Sequence, residues 1–225
     1  MSPATSDACD RAAYYILNGQ YDRALTQLDG ARASGSSSAA NELLRGLATM
    51  LDGDARKAIE IFDGVIAKEP ALVEAQFNRA VALLKLGETT KAATEFARIA
   101  NDEKAGLLRG NAAYHHAMAR ERLGHSAEAE KWLESALALD PKFHAARLLL
   151  GSLQERRGAV EAAAGSYRDY LKAYPESALA LLRFGICAHR AGRTDVAATY
   201  LRRVIEKAPR SPEATEARKF LVMWE

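Results

Sequence analysis

The chain has 225 residues, and its 31 basic and 29 acidic side chains leave a formal net charge of only +2 at pH 7. This balance disfavours nucleic-acid binding, which usually requires a strongly basic surface. No apolar run approaches the roughly 18 residues that a transmembrane helix needs, and the abundance of Ala, Leu, Glu, Arg and Lys predicts a helical globular protein.

The N-terminal sequence MSPATSDACD contains no apolar segment of the kind found in signal peptides. We therefore expect a cytoplasmic protein from the sequence as given, and a periplasmic or envelope-associated one if a signal segment has been removed. The two cysteines, Cys9 and Cys187, have no metal-binding spacing and predict no disulfide framework.

Internal repetition organises the chain, because a glycine recurs every 34 residues apart from one step of 37 residues. These glycines are Gly19, Gly53, Gly87, Gly124, Gly158 and Gly192. An alanine follows each glycine by five residues, a bulky side chain follows it by nine, and a small residue precedes it by seven. Apolar residues spaced three and four apart on both sides of each glycine predict two amphipathic helices joined by a tight turn.

The glycine spacing divides a single predicted domain over residues 1–225 into six repeats and a terminal helix. The predicted repeats lie at about 5–38, 39–72, 73–109, 110–143, 144–177 and 178–210. The 37-residue step falls at NDEKAGLLRG (101–110). It predicts either a longer second helix in repeat three or a longer connection to repeat four.

The last segment, residues 211–225, is predicted to be a capping helix that shields the end of the repeat array. Ser211 is the expected N-cap and Pro212 the first helical residue. Leu221, Val222 and Trp224 are the side chains that we expect this helix to bury.

The repeats resemble the tetratricopeptide repeat (TPR) family, which has a 34-residue period and an A-x3-F pattern in its second helix. The segments that carry the resemblance are AAYYILNGQYDRALTQL, GLATMLDGDARKAIEIF, AVALLKLGETTKAATEF, AMARERLGHSAEAEKWL, GSLQERRGAVEAAAGSY and GICAHRAGRTDVAATYL. The resemblance covers roughly residues 5–210. It implies an all-α fold, a right-handed superhelix of antiparallel helix pairs whose first helices line a concave groove.

The same resemblance implies that the second, fifth, sixth, ninth, twelfth and thirteenth positions face that groove when the turn glycine is counted as the fifteenth. The fifth and ninth positions form a mainly apolar track of Leu43, Leu47, Phe77, Val81, Tyr114, Met118, Leu148, Ser152, Leu182 and Ile186. The thirteenth positions of repeats three to six form a basic row of Lys85, Arg122, Arg156 and Arg190. The sixth positions add Asn78, His115 and Arg183.

Each part of this predicted groove could have a structural role instead of binding a partner. The apolar residues could pack against a neighbouring repeat instead of a partner. The first repeat could also cover the apolar stripe of repeat two, which consists of Leu43, Leu44, Leu47, Met50 and Leu51. The arginines could form ion pairs between repeats, since Arg122 and Arg156 adjoin Glu121 and Glu155.

The function that we predict is a non-enzymatic scaffold or adaptor that binds an extended or amphipathic helical segment of a partner protein. The sequence contains no phosphate-binding glycine loop, G-x-S-x-G, H-E-x-x-H or C-x-x-C motif, so we expect no catalysis, cofactor or metal. A clamp for the C-terminal carboxylate of Hsp70 or Hsp90 is also disfavoured, since Leu43 and Leu47 stand where that clamp needs Lys and Asn.

Two other functions remain open. The chain could be a self-associating structural module or the detached repeat region of a larger protein, and RNA binding is a third, weaker alternative. In architecture and length only, the chain resembles the bacterial pilus pilotins and other assembly scaffolds of the cell envelope.

Three histidines lie close together in NAAYHHAMARERLGH (111–125) but are predicted to have different surroundings. His115 is expected to face the groove, His116 to lie between helices as a neutral interior residue, and His125 to be exposed in the turn. Because the three side chains diverge, the sequence does not favour a metal site here.

Overall fold

A computed structural model describes residues 8–35 and 38–224. These ranges contain α-helices, one 3-10 helix at Glu103–Ala105 and no strand. The α-helices in chain order are α1 (Ala8–Leu17), α2 (Tyr21–Ala33), α3 (Ala39–Leu51), α4 (Ala55–Lys68), α5 (Val73–Lys85), α6 (Thr89–Asn101), α7 (Leu108–Arg122), α8 (Ser126–Leu139), α9 (His144–Arg156), α10 (Val160–Ala173), α11 (Ala178–Arg190), α12 (Thr194–Lys207) and α13 (Pro212–Trp224).

The helices form two compact units, of which the first ends at His125 and the second begins at Ser126. The first unit contains α1 to α7 and the second contains α8 to α13. The boundary falls in the turn that the glycine spacing assigns to the middle of repeat four. The all-α repeat fold is confirmed, whereas the single domain over residues 1–225 stays a prediction.

The turn between α3 and α4 shows how the sequence ends one helix and begins the next. Gly53 has a φ of 107°, which is accessible at low cost only to glycine. Asp54 then caps α4, since its carboxylate accepts a hydrogen bond of 2.9 Å from the backbone amide of Lys57. A glycine with positive φ occupies each of the six predicted turns, so the predicted helix boundaries are confirmed at these points.

Small residues before each turn allow the two helices of a repeat to approach each other. In repeat two, a Cβ atom added to Gly46 on α3 would lie only 2.5 Å from the ring of Phe62 on α4. Gly151 and Tyr167 have the same relation in repeat five, at 2.9 Å. Both rings are buried, so the small and the bulky positions of the repeat form one close-packed contact.

Arginines on the first helices of the first unit join neighbouring helices. On α5, Arg79 donates hydrogen bonds to Asp63 of α4 and to Glu95 of α6. On α1, Arg11 donates a hydrogen bond of 2.8 Å to Gln27 of α2. Burial alone would lower the pKa of Arg79, but the bonds and charges of Glu95 and Asp63 raise it, so the guanidinium stays charged between two second helices.

The 37-residue step results from a longer connection and a longer first helix in repeat four. Helix α6 has 13 residues, the same length as α2, so the second helix of repeat three does not continue. The added residues enter the connection 102–107, which contains the 3-10 helix, and α7, which has 15 residues. The Arg109 side chain holds this connection by donating a hydrogen bond of 3.2 Å to the carbonyl of Ala100.

The capping helix α13 begins as predicted. The hydroxyl of Ser211 accepts a hydrogen bond of 3.1 Å from the backbone amide of Ala214, and Pro212 is the first helical residue. Its partly buried side chains include Leu221 and Trp224, as expected.

The expectation that Val222 would be buried is wrong, because this side chain is exposed. The helical period places Val222 on the outer side of α13. Phe220 packs against the core of the second unit instead.

Candidate partner-binding surfaces on the first helices

Apolar side chains of α3 and α5 form a partly exposed surface on the first unit. Leu43, Leu47 and Val81 are half-buried and pack against a core cluster that includes Phe62. Phe77 is also half-buried and meets the ring of Phe96 edge to face at 5.5 Å between centroids. These side chains therefore pack on the core and keep exposed atoms at the same time, and partner binding by the apolar track stays a prediction.

The apolar stripe of repeat two is divided between the core and the surface. Leu44 packs against the core cluster of repeat one, and Met50 is buried. Leu51, at the thirteenth position, is exposed, as is Leu17 at the same position of α1. We call Leu43, Leu47, Leu51, Phe77 and Val81 together the apolar face.

His115 on α7 is enclosed by aromatic rings. It stacks on Phe96 with a centroid distance of 5.1 Å and meets Phe77 and Tyr114 edge to face, both at 5.4 Å. Burial, together with the positive charge of Arg122, lowers the pKa of the imidazole. His115 is therefore neutral at neutral pH and contributes mainly as a fourth ring of this cluster.

The other two histidines have the surroundings that the repeat pattern predicts. The His116 side chain is buried and its Nδ1 lies 2.7 Å from the carbonyl oxygen of Ala93 on α6, at hydrogen-bond distance. His125 lies exposed in the turn after α7. The described residues contain no group of three or more His, Cys, Asp or Glu side chains that could hold a metal ion.

The remaining predicted residues of the first unit are partly or fully accessible. Asn78, Tyr114 and Met118 are half-buried, and Lys85 and Arg122 of the basic row are exposed.

None of the described helices is long and apolar enough to cross a membrane.

In the second unit the predicted residues separate into a buried and an accessible group. Leu182 and Ile186 on α11 are only 1% and 4% exposed. They belong to the same core cluster as Ala214 and Ala217 of the capping helix. They support this core and are not available to a partner while α13 is in place.

The accessible group surrounds a depression of about 280 Å³ between α9, α10 and α11. Its lining residues are Leu148, Ser152, Glu155, Arg156, Tyr167, Leu179 and Arg183. Arg190, about two turns beyond Arg183 on α11, lies beside it through a contact with Glu155. We call this depression, with Arg190, the arginine pocket.

Glu155 is the central residue of the arginine pocket. One carboxylate oxygen, Oε2, accepts a hydrogen bond of 2.9 Å from the hydroxyl of Tyr167. The other, Oε1, lies 3.7 Å from Arg183 and 3.8 Å from Arg190. Burial, and then the negative charge of Glu155, raise the pKa of Tyr167 and raise that of Cys187 to about 11.

From the sequence alone, Glu155 is only a neighbour of Arg156. The structure joins it to arginines of the next repeat, because the twelfth position of α9 faces the sixth and thirteenth positions of α11. Leu179, at the second position of α11, was also missed. Both positions belong to the groove-facing set that the family resemblance implies, and that was the available signal.

Comparisons with known proteins agree with this architecture. A family model described as tetratricopeptide repeat matches residues 43–106, 114–178 and 161–212. No curated protein matches the sequence.

Several solved structures have a similar fold. Pseudomonas aeruginosa pilF is 17% identical with a TM-score of 0.79, over 94% of this chain and 95% of pilF. PilW, described as a widely conserved type IV pilus biogenesis factor, is 20% identical with a TM-score of 0.79, over 96% of this chain and 99% of PilW. YrrB, described as a TPR protein with an unusual peptide-binding site, is 18% identical with a TM-score of 0.64, over 85% of this chain and 97% of YrrB.

At these identities the structural likeness shows the fold alone. The family model, in contrast, matches well over half of the sequence. Together with the turn glycines and the helix pairs, this match shows that the chain belongs to the tetratricopeptide repeat family.

Proposed function

We propose that the chain is a non-catalytic scaffold that binds a segment of a partner protein through the first helices of its repeats. Tetratricopeptide repeats are protein-interaction modules, and their helix pairs present rows of side chains to an extended or helical ligand. The partner segment supplies apolar residues to the apolar face of the first unit and acidic residues to the basic side chains of the second.

The observation that carries this proposal is the partial exposure of successive apolar side chains on α3 and α5. Leu47 and Val81 occupy the same position of consecutive repeats, and both keep accessible atoms although they pack on the core. Leu51 and Lys85 extend the same helix faces as exposed residues. An exposed apolar row beside basic residues is typical of a partner-binding surface.

We extend the proposal to the assembly of a larger complex. PilW, which shares the fold, is described as a pilus biogenesis factor, and YrrB is described as a TPR protein with a peptide-binding site. A self-associating module is the second candidate, supported by the exposed apolar residues Leu17 on α1 and Val222 and Met223 on α13. Sedimentation over a range of concentrations distinguishes the two, because self-association makes the mass depend on concentration.

The experiment that tests the scaffold is capture of partner proteins from an extract of the source cell. Replacing Leu47→Glu and Phe77→Glu together places two charges on the apolar face, where a bound apolar segment would leave them without solvent. We expect capture to fall by about tenfold or more. Circular dichroism checks that the helix content is retained.

The matched control is Leu107→Glu, the same change at an exposed residue in the connection before α7. It should capture the same proteins as the unaltered chain. Unchanged capture by the Leu47→Glu, Phe77→Glu variant, with helix content retained, would contradict the proposed binding surface.

A further inference from the structure

The arginine pocket has more positive charge than its own carboxylate can neutralise. Arg183 and Arg190 both lie near Glu155, and Glu155 is the one acidic residue among the side chains that line the depression. Two guanidinium groups thus share a single carboxylate oxygen. The pocket keeps an excess of positive charge in a surface where Leu148 and Leu179 provide apolar walls.

The two arginines are more accessible than the carboxylate that they share. The side chain of Glu155 is 11% exposed, whereas those of Arg183 and Arg190 are 38% and 53% exposed. At 3.7 and 3.8 Å, both distances to Oε1 exceed the length of a hydrogen bond. Their contacts with Glu155, as the described part of the chain shows them, therefore leave N–H donors of both guanidiniums open to an acceptor arriving from solvent.

A hydrogen bond from the second helix of the same repeat fixes the position of Glu155. The buried Tyr167 of α10 donates its hydroxyl hydrogen bond to Oε2, so the carboxylate is fixed with Oε1 directed to α11. In this position the negative charge of Glu155 weakens the attraction of Arg183 and Arg190 for a second anion.

From this arrangement we propose that the arginine pocket binds an acidic side chain, Asp or Glu, of an extended partner peptide with apolar neighbours. The acidic side chain meets the solvent-facing sides of Arg183 and Arg190, and the apolar neighbours contact Leu148 and Leu179. Glu155 sets the affinity, because it neutralises part of the charge that attracts the ligand. This inference rests on the proposed scaffold function and names the ligand chemistry of its second unit.

The test is an NMR titration of the full chain with three short peptides as probes. The first is ALELA, acetylated and amidated; the second is ALQLA with the same ends; the third is ALQLA with a free C-terminal carboxylate. We expect ALELA to bind at least about threefold more tightly than either ALQLA peptide, with shift changes on α9 and α11. Equal binding of the peptides, or tighter binding of the free carboxylate, would overturn the proposal.

Variants of the pocket separate a binding role from a structural one. Glu155→Gln keeps an acceptor for the Tyr167 hydroxyl and removes the internal charge, so ALELA should bind about threefold more tightly. Arg183→Gln and Arg190→Gln should each weaken it by up to about fivefold. The matched control Arg202→Gln, at an exposed residue of α12 outside the pocket, should leave it unchanged.

If Glu155 served only to hold α9 to α11, Glu155→Gln would lower the melting temperature and leave ALELA binding unchanged or weaker, and the proposal would fall. That result is distinguishable from failure of the scaffold, which is tested at Leu47 and Phe77 in the other unit. Capture lost with those changes, while Glu155→Gln leaves ALELA binding unaltered, would keep the scaffold and reject the acidic subsite.

Discussion

His115 shows how a residue that first suggests a ligand site can serve mainly in packing. Its ring lies within a cluster formed by Phe77, Phe96 and Tyr114. A charged imidazole would lose its water in this position and would also be repelled by Arg122. The cluster therefore favours the neutral histidine and opposes its protonation.

The stability of the protein should consequently depend on pH through His115. Because the pKa is lowered in the folded state, the unfolded chain binds a proton below a pH of about 6.5 that the folded chain does not bind. Folded-state stability contributed by His115 is thus complete above that pH and decreases as the pH falls through it. His115→Phe keeps a ring in the cluster and removes the titration.

Urea unfolding of the two proteins at about pH 7.5 and about pH 5.5 measures this effect. The stability of His115→Phe relative to the unaltered chain should be greater at the lower pH. A difference that is the same at both pH values would show that folding leaves the pKa of His115 unchanged, and a reversed difference would show that folding raises it; either result would contradict the prediction.

The close contact between α3 and α4, the two helices of repeat two, depends on Gly46. A methyl group there would collide with the buried ring of Phe62 at 2.5 Å. Gly64, on α4 of the same repeat, has no atom within 4 Å of an added Cβ. The two helical glycines therefore separate the effect of helix propensity from the effect of packing.

We expect Gly46→Ala to lower the free energy of unfolding by about 1–2 kcal/mol, because overpacking outweighs the gain in helix propensity. Gly64→Ala should raise it by about 0.5–1 kcal/mol. Denaturant unfolding of both variants provides the comparison. A stabilising effect of Gly46→Ala would mean that α3 and α4 are less closely packed than the structure shows.

The helix pairs could be predicted from sequence because each depends on signals within one repeat. Turn glycines and the pairing of a small with a bulky residue, as at Gly46 and Phe62, are local and recur with the period. The 37-residue step was compatible with a longer second helix in repeat three and with a longer connection to repeat four, since both lengthen the repeat equally. Only the end of α6 at Asn101 distinguishes them.

The candidate sites were harder to predict because exposure depends on neighbouring elements. Leu182 and Ile186 occupy groove-facing positions, yet they are buried in the core that the capping helix completes. Glu155 was missed as a central residue because its contacts to Arg183 and Arg190 join two repeats. Side-chain direction on one helix follows from the period, but burial depends on what packs over it.

Considered as a whole, the molecule consists of two compact units whose first helices carry different chemistry. The apolar face, which includes Leu47 and Phe77, lies on the first unit. The second unit carries the arginine pocket with Arg183 and Arg190. The proposed function requires that a partner contacts these first helices and not the second helices of the repeats.

Site-specific photo-crosslinking tests this requirement most directly. Benzoylphenylalanine replaces one exposed residue at a time, at Leu51, Lys85 or Arg190 on first helices, and at Glu60 or Arg202 on second helices. A captured partner should become crosslinked from the three first-helix positions and not from the two second-helix positions. Crosslinks that arise only from Glu60 and Arg202, or equally from all five positions, would contradict the proposed function.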